Sequence, residues 1–180
     1  MMGPVLEARM KRLFALLTLF AGLAFAQVPA YPENTAGIGF GIGRGIVLQG
    51  STSLPFSPLG IDTGLDAEVI VPTAFNGAEV WALFKANLLP ALTLGDLPFS
   101  VGLGLDASYN SLSSVFGTHL GTVATVEIPG GAISGYLGLG YEAGFNLAYG
   151  LGGRLYLDPV ALEVALSDRY PLKLSVLYLW

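Results

Sequence analysis

Hydrophobic and polar positions alternate along most of the chain. In the segment AEVWALFKANL at 78–88, every even position is apolar, whereas the odd positions include Glu79, Lys85 and Asn87. A period of two is that of a β-strand, whose successive side chains point to opposite faces. The pattern therefore predicts strands with one apolar and one mixed face. Similar segments occur at 65–71, 99–109, 118–128, 133–143, 151–158, 160–167 and 172–180.

Turn-forming residues separate these segments and predict an antiparallel all-β fold. Gly, Pro, Asn, Asp and Ser punctuate the chain at such points, and short connections join antiparallel neighbours. Residues 36–50 supply a ninth segment. A turn at Gly43-Arg44-Gly45 would divide it and give ten strands, although residues 36–42 are short for a span; two neighbouring segments that form one strand would instead give eight. We expect eight strands, within a range of eight to ten. The predicted breaks lie at 72–77, 90–98, 110–114, 129–131, 144–146, 158–159 and 168–171.

The composition is unusually apolar for a protein of 180 residues. Hydrophobic residues make up 53% and charged residues 12%, whereas soluble domains carry about 25% charged residues. The net charge of −5 argues against a nucleic-acid partner, which would need a basic surface. The chain has no cysteine, which excludes a disulfide framework and a thiolate metal site. No cofactor and no metal site are predicted.

The N-terminus has the pattern of a secretory signal peptide. Arg9, Lys11 and Arg12 precede an apolar run at 13–26 that ends in Ala-Phe-Ala, a small-x-small cleavage pattern. Translation would start at Met1 or Met10. We therefore expect a signal peptide at 1–26, an extended periplasmic lead-in at 27–35 and a barrel domain at 36–180.

Charged residues sort to the mixed face of the predicted strands. No stretch after residue 26 offers 18 uninterrupted apolar residues, so a transmembrane helix is not predicted; a closed barrel is the other solution that satisfies the backbone in lipid. Its lumen would receive the charges, because a basic side chain in lipid costs about 2–4 kcal/mol. We expect an acidic lumen mostly filled by side chains, as in narrow barrels. The candidate charge network comprises Asp66, Glu68, Glu79, Lys85, Asp106, Glu127, Glu142, Arg154, Glu163 and Lys173.

Two residues are exceptions to this simple pattern. Arg44 shares the parity of apolar Phe40 and Ile42, which indicates a rim, a bulge or a turn. His119 is the single histidine, and its sequence neighbours name no catalytic partner within reach. We therefore predict no enzyme activity. Two alternatives stay open: a soluble exported β-sandwich or β-barrel that binds a ligand or partner, and a lipid-modifying barrel enzyme centred on His119.

The C-terminal segment LKLSVLYLW alternates apolar residues up to a terminal aromatic residue. With the leader and the alternating strands, it resembles the small, eight-stranded type of outer-membrane β-barrel protein of diderm bacteria. The resemblance implies a porin-like, up-and-down transmembrane barrel without catalysis, structural or a narrow channel, in contact with outer-membrane lipids. It also implies that the barrel-assembly machinery reads the last strand, although Trp stands where Phe is commoner. The residues that carry this signal are Leu172, Leu174, Val176, Tyr178 and Trp180.

Overall fold

The computed structural model describes residues 34–55 and 57–180. The predicted signal peptide at 1–26, and the lead-in before residue 34, lie outside these residues. The described chain is almost entirely β-structure, with one short 3-10 helix at Pro58–Gly60. Among these residues, no helix is long and apolar enough to cross a membrane.

Ten antiparallel strands form a closed up-and-down barrel, in which each strand pairs with its sequence neighbours and β1 pairs with β10. The all-β closed barrel predicted from the alternation is thus confirmed. The strands are β1 Thr35–Gly41, β2 Gly45–Ser53, β3 Thr63–Pro72, β4 Glu79–Leu94, β5 Leu97–Asn110, β6 Val115–Ile128, β7 Gly131–Glu142, β8 Phe145–Tyr156, β9 Val160–Ser167 and β10 Lys173–Leu179.

The strand number is ten, at the upper limit of the expected range, and not the preferred eight. Each of the eight segments after residue 61 forms a separate strand, and residues 36–50 fold into two strands, β1 and β2, around a turn at 42–44. Gly43 adopts a φ of 72° there, and the amide of Arg44 donates to the carbonyl of Gly41 at 3.0 Å. Glycine allows that left-handed backbone at little cost. These strands have 7 and 9 residues. Because β1 is shorter than the 9–11 residues of a typical membrane-spanning strand, the sequence pattern did not favour the division.

The break predicted at 90–98 is mostly strand. β4 continues to Leu94, and only Gly95 and Asp96 form the turn before β5. The pairing of β4 with β5 shifts register between Asn87 and Leu89 and again between Leu89 and Leu92. Pro90 lies inside β4 and has no backbone N–H to donate. The register shifts leave backbone positions outside the hydrogen-bond ladder, which is where a sheet tolerates proline.

The barrel has two ends with different connections. The terminal end holds Thr35 and Leu179, together with the connections β2–β3, β4–β5, β6–β7 and β8–β9. The distal end holds the connections β1–β2, β3–β4, β5–β6, β7–β8 and β9–β10. Most charged side chains of the strands are directed inward between these two ends, and they position the candidate site.

Candidate functional site: the interior of the barrel

Strand parity decides which side chains enter the barrel. In β9, Glu163 is 7% exposed, whereas its neighbours Leu162 and Val164 are 43% and 51% exposed. The pairing of β9 with β10 aligns Glu163 with Ser175 and Val164 with Leu174, so each parity forms a continuous face across strands. On the described strands, no charged residue lies on the outer face.

The centre of the interior is a network of buried ions around Lys173. The Lys173 ammonium contacts the carboxylates of Glu68 and Glu163, the latter at 2.9 Å, and donates to Oε1 of Gln49 at 2.5 Å. Arg154 Nε binds Glu163 Oε2 at 2.7 Å, and Gln49 Nε2 donates to Glu163 Oε1 at 2.8 Å. Two cations thus share two carboxylates. Buried charges need such pairing because their desolvation cost is several kcal/mol per ion.

A second ion pair lies on neighbouring strands. Lys85 of β4 contacts Asp66 of β3 at 2.7 Å. The lysine side chain is almost fully buried and the aspartate about one-quarter exposed. Together with the central network, this pair leaves every inward basic residue of the strands neutralised by a carboxylate.

At the distal end, Glu79 joins two arginines. Arg44, in the β1–β2 turn, binds Glu79 Oε2 at 2.6 Å, and Arg169, in the β9–β10 connection, lies 3.3 Å from Oε1. The guanidinium of Arg169 also stacks on Trp81, 4.7 Å from the ring centroid, a favourable cation–π geometry. Arg44 shares the parity of apolar residues in the sequence because it lies in a turn, from which its side chain reaches inward.

Tyr170 follows Arg169 and is also buried. Its hydroxyl donates to the Glu68 carboxylate, with both oxygens at 3.2 Å. Its ring packs with Val47 and Ile70, and Lys173 lies 5.2 Å from the ring centroid. Burial and the negative charge of Glu68 raise the pKa of Tyr170, because both disfavour a phenolate. The residue therefore stays a neutral donor at physiological pH.

Asp106, His119 and Asn146 form a separate chain in the interior. His119 Nδ1 lies 2.9 Å from Asp106 Oδ1, and Nε2 lies 2.9 Å from Asn146 Oδ1. The imidazole is almost completely buried, and both ring nitrogens are engaged within the protein. A general base needs a ring nitrogen that can reach a substrate proton, and this arrangement directs neither nitrogen toward the interior cavity.

An apolar cluster and a cavity occupy other parts of the interior. Leu83 and Val123 pack with Trp81 and Tyr136, opposite glycines that leave space for these rings. A Cβ added to Gly138 would lie 2.3 Å from the Tyr136 hydroxyl. The cavity has a volume of about 150 Å³, so side chains fill most of the lumen.

Two members of the predicted charge network lie at the rims. Glu127 is exposed at the terminal end of β6, and Glu142 is half-buried at the distal end of β7, beside Gly117. The other eight lie inside the barrel. The acidic excess of the chain is therefore concentrated at the ends, since Asp62, Asp96 and Asp158 also lie in connections at the terminal end.

Several interior residues carried no signal in the sequence. Gln49 is uncharged, so the sorting of charges by parity did not include it. Arg169 and Tyr170 belong to the segment DRYP, whose composition indicated only a turn. No group of three or more metal-ligating side chains occurs within 34–55 and 57–180. Comparison of the sequence with protein-family models and with curated proteins gave no match.

Proposed function

We propose that this protein is an integral outer-membrane β-barrel with a structural or narrow-channel role and without catalysis. The observation that carries the proposal is the outer wall. Large apolar side chains cover it at roughly half exposure, among them Phe40, Leu105, Leu139 and Val176, and no described strand places a charge there. Soluble monomers rarely expose apolar patches larger than a few hundred Å². Hydrocarbon is the solvent that such a wall suits.

The aromatic residues of the outer wall support the same proposal. Tyr109, Phe116 and Tyr141 are exposed near the distal end, and Tyr178 and Trp180 near the terminal end. Membrane barrels carry aromatic girdles at both interfaces between lipid and water. The outer face of β10, with Leu174, Val176 and Tyr178, would also present the expected signal to the assembly machinery.

The interior supports a filled barrel more than a ligand carrier. A cavity of about 150 Å³ is smaller than the 300–1,000 Å³ typical of small-molecule sites. A soluble exported binding protein would also need polar side chains on its outer wall. The enclosed position of His119 gives a lipid-modifying enzyme no accessible catalytic base. These observations favour the membrane barrel over both alternatives.

The two tryptophans of the chain offer a direct test. Trp180 is 63% exposed on the outer wall, whereas Trp81 lies inside against Arg169. We expect brominated phospholipids to quench the fluorescence of a Trp81→Phe variant, which retains Trp180. The matched Trp180→Phe variant, which retains Trp81, should be quenched much less.

Two outcomes would reject the proposal. If neither variant is quenched and the protein stays in the soluble fraction, the soluble alternative is correct. If Trp81 is quenched in preference to Trp180, the assignment of the two faces is inverted. A heat-modifiable gel shift of the detergent-extracted protein provides an independent check for a folded barrel.

A further inference from the structure

The connection between β9 and β10, residues 168–172, folds into the barrel and not over its rim. We call it the β9–β10 loop. Arg169 is 8% exposed and Tyr170 is 6% exposed, although neither belongs to a strand. Connecting segments ordinarily lie on the surface. Two consecutive loop residues therefore occupy the distal mouth of the lumen.

The side chains of this loop contact the opposite wall. Arg169 reaches Glu79 and Trp81, both on β4, and in the order of the closed sheet β4 is separated from β10 by β1, β2 and β3. Tyr170 binds Glu68 of β3. The loop thus crosses the lumen and is secured on its far side by one ion pair, one stacking contact and one hydroxyl donor.

Backbone hydrogen bonds hold the loop only at its base. The amide of Asp168 donates to Tyr149 at 3.2 Å, that of Ser167 to Tyr170 at 2.9 Å, and that of Ile42 to Leu172 at 2.8 Å. All of these partners belong to the loop itself or to adjacent segments. Releasing Arg169 and Tyr170 from the opposite wall would therefore leave the barrel ladder intact.

The cavity continues from this loop along the barrel. Its lining includes Arg169 and Trp81 at the distal end and Thr35 and Ser51 at the terminal end. Trp81 presents an indole Nε1 without a hydrogen-bond partner among the described residues. The lining also contains charged side chains, and a cavity of this size with several polar groups can hold water. The space beneath the loop thus has the position and polarity of a narrow passage.

The geometry points to the β9–β10 loop as a gate whose displacement opens a passage that prefers cations. This inference rests on the proposed function as a membrane barrel. Displacing the loop removes Asp168 and Arg169 together from the mouth and leaves Glu79 with Arg44 alone. Carboxylates then outnumber cations along the interior, and a narrow low-dielectric path concentrates ions of opposite sign. The interior carboxylates are Asp66, Glu68, Glu79, Asp106 and Glu163; the cations are Arg44, Lys85, Arg154 and Lys173.

Single-channel recording in planar lipid bilayers, with KCl as the probe, tests the gate. The loop variant combines Arg169→Gly with Tyr170→Gly. The matched control combines Ser113→Gly with Ser114→Gly, which changes two exposed residues of the β5–β6 connection at the same end. We expect a several-fold higher unitary conductance for the loop variant than for the wild type. In a KCl gradient, its reversal potential should have the sign of a potassium preference.

The outcomes separate clearly. A higher unitary conductance in the loop variant alone, with a potassium preference, supports the gate. Equal conductance in the wild type, the loop variant and the control contradicts the gate. An increase in the control as large as that in the loop variant also contradicts it. A chloride preference overturns the assignment of the ion class.

Insertion is measured on the same samples by quenching of Trp180 with brominated lipid. A wild type that does not insert would reject the proposed membrane function itself, whereas inserted but unaltered loop variants reject only the gate. If the double variant fails to fold, Arg169→Ala and Tyr170→Phe replace it. Arg169→Ala removes the ion pair with Glu79 and the stacking on Trp81, and Tyr170→Phe removes the hydroxyl donor to Glu68. Each should raise the frequency of openings, and unchanged openings in both would overturn the inference.

Discussion

Glu163 and Val164 are consecutive residues of β9, yet they belong to different regions of the molecule. Glu163 is buried among Arg154, Lys173 and Gln49. Val164 lies on the outer wall opposite Leu174. The inner region is stabilised by paired charges, and the outer region carries none. The comparison shows that a closed sheet can hold an ionic interior within an apolar exterior, the reverse of a soluble domain.

Removing the central cation should have the largest effect in the inner region. Lys173→Met leaves Glu68 without its ammonium partner and Glu163 with Arg154 alone. Breaking a buried ion pair by removing one partner costs roughly 3–5 kcal/mol, so the free energy of unfolding should fall by that amount. Urea titration of the barrel in lipid vesicles, followed by tryptophan fluorescence, measures it.

Arg44→Met is the matched control for that substitution. Arg44 also pairs with a carboxylate, but its side chain is 40% exposed, and exposed ion pairs contribute about 1 kcal/mol or less. Equal losses for the two variants would contradict the assignment of Lys173 as the centre of a buried network.

A charge placed on the outer wall should lower the free energy of unfolding slightly less than Lys173→Met does. Val164→Arg would direct a guanidinium into lipid, with an expected loss of about 2–4 kcal/mol at mid-depth. Leu157→Arg introduces the same residue in the exposed β8–β9 connection and should change stability little. Equal stabilities of the two variants in vesicles would show that the outer wall faces water.

Close packing of the inner face is tested by adding a single methyl group. A Cβ at Gly121 would lie 2.1 Å from the carbonyl oxygen of Leu137, whereas one at Gly150 would meet nothing nearer than 3.8 Å. Gly121→Ala should therefore lower the free energy of unfolding by about 1–3 kcal/mol through overpacking. Gly150→Ala should be nearly neutral by the same titration, and a larger loss for Gly150→Ala would contradict this packing.

The terminal aromatic residue should have the smallest effect on stability. Trp180 stacks on Tyr178 with ring centroids 6.4 Å apart, and such pairs contribute about 1 kcal/mol. Trp180→Ala should lower the free energy of unfolding in vesicles by about that amount. Its insertion by the purified assembly machinery should nevertheless be slower than that of Trp180→Phe. Unchanged insertion kinetics would contradict a role for Trp180 in the assembly signal.

Much of the fold could be predicted from the sequence, because a strand exposes its two faces to different surroundings. The alternation in the segments after residue 61 predicted β3 to β10 and the parity of their charged residues, although β8 begins at Phe145, inside the break predicted at 144–146. It left the division of residues 36–50 at Gly43-Arg44-Gly45 open, since the part before Gly43 is short for a spanning strand. It also read Pro90 as the start of a break, although shifts of register let β4 continue past it.

The partners of the interior charges were decided by tertiary structure. Glu68 and Lys173 are 105 residues apart in the chain, and only closure of the barrel by β1 and β10 brings them together. The inward course of the β9–β10 loop depends on Glu79, Trp81 and Glu68 on the opposite wall. The local pattern predicts which face of the sheet each side chain points to, because that direction follows from backbone geometry. The residue that a side chain contacts depends on the register and curvature of the whole sheet.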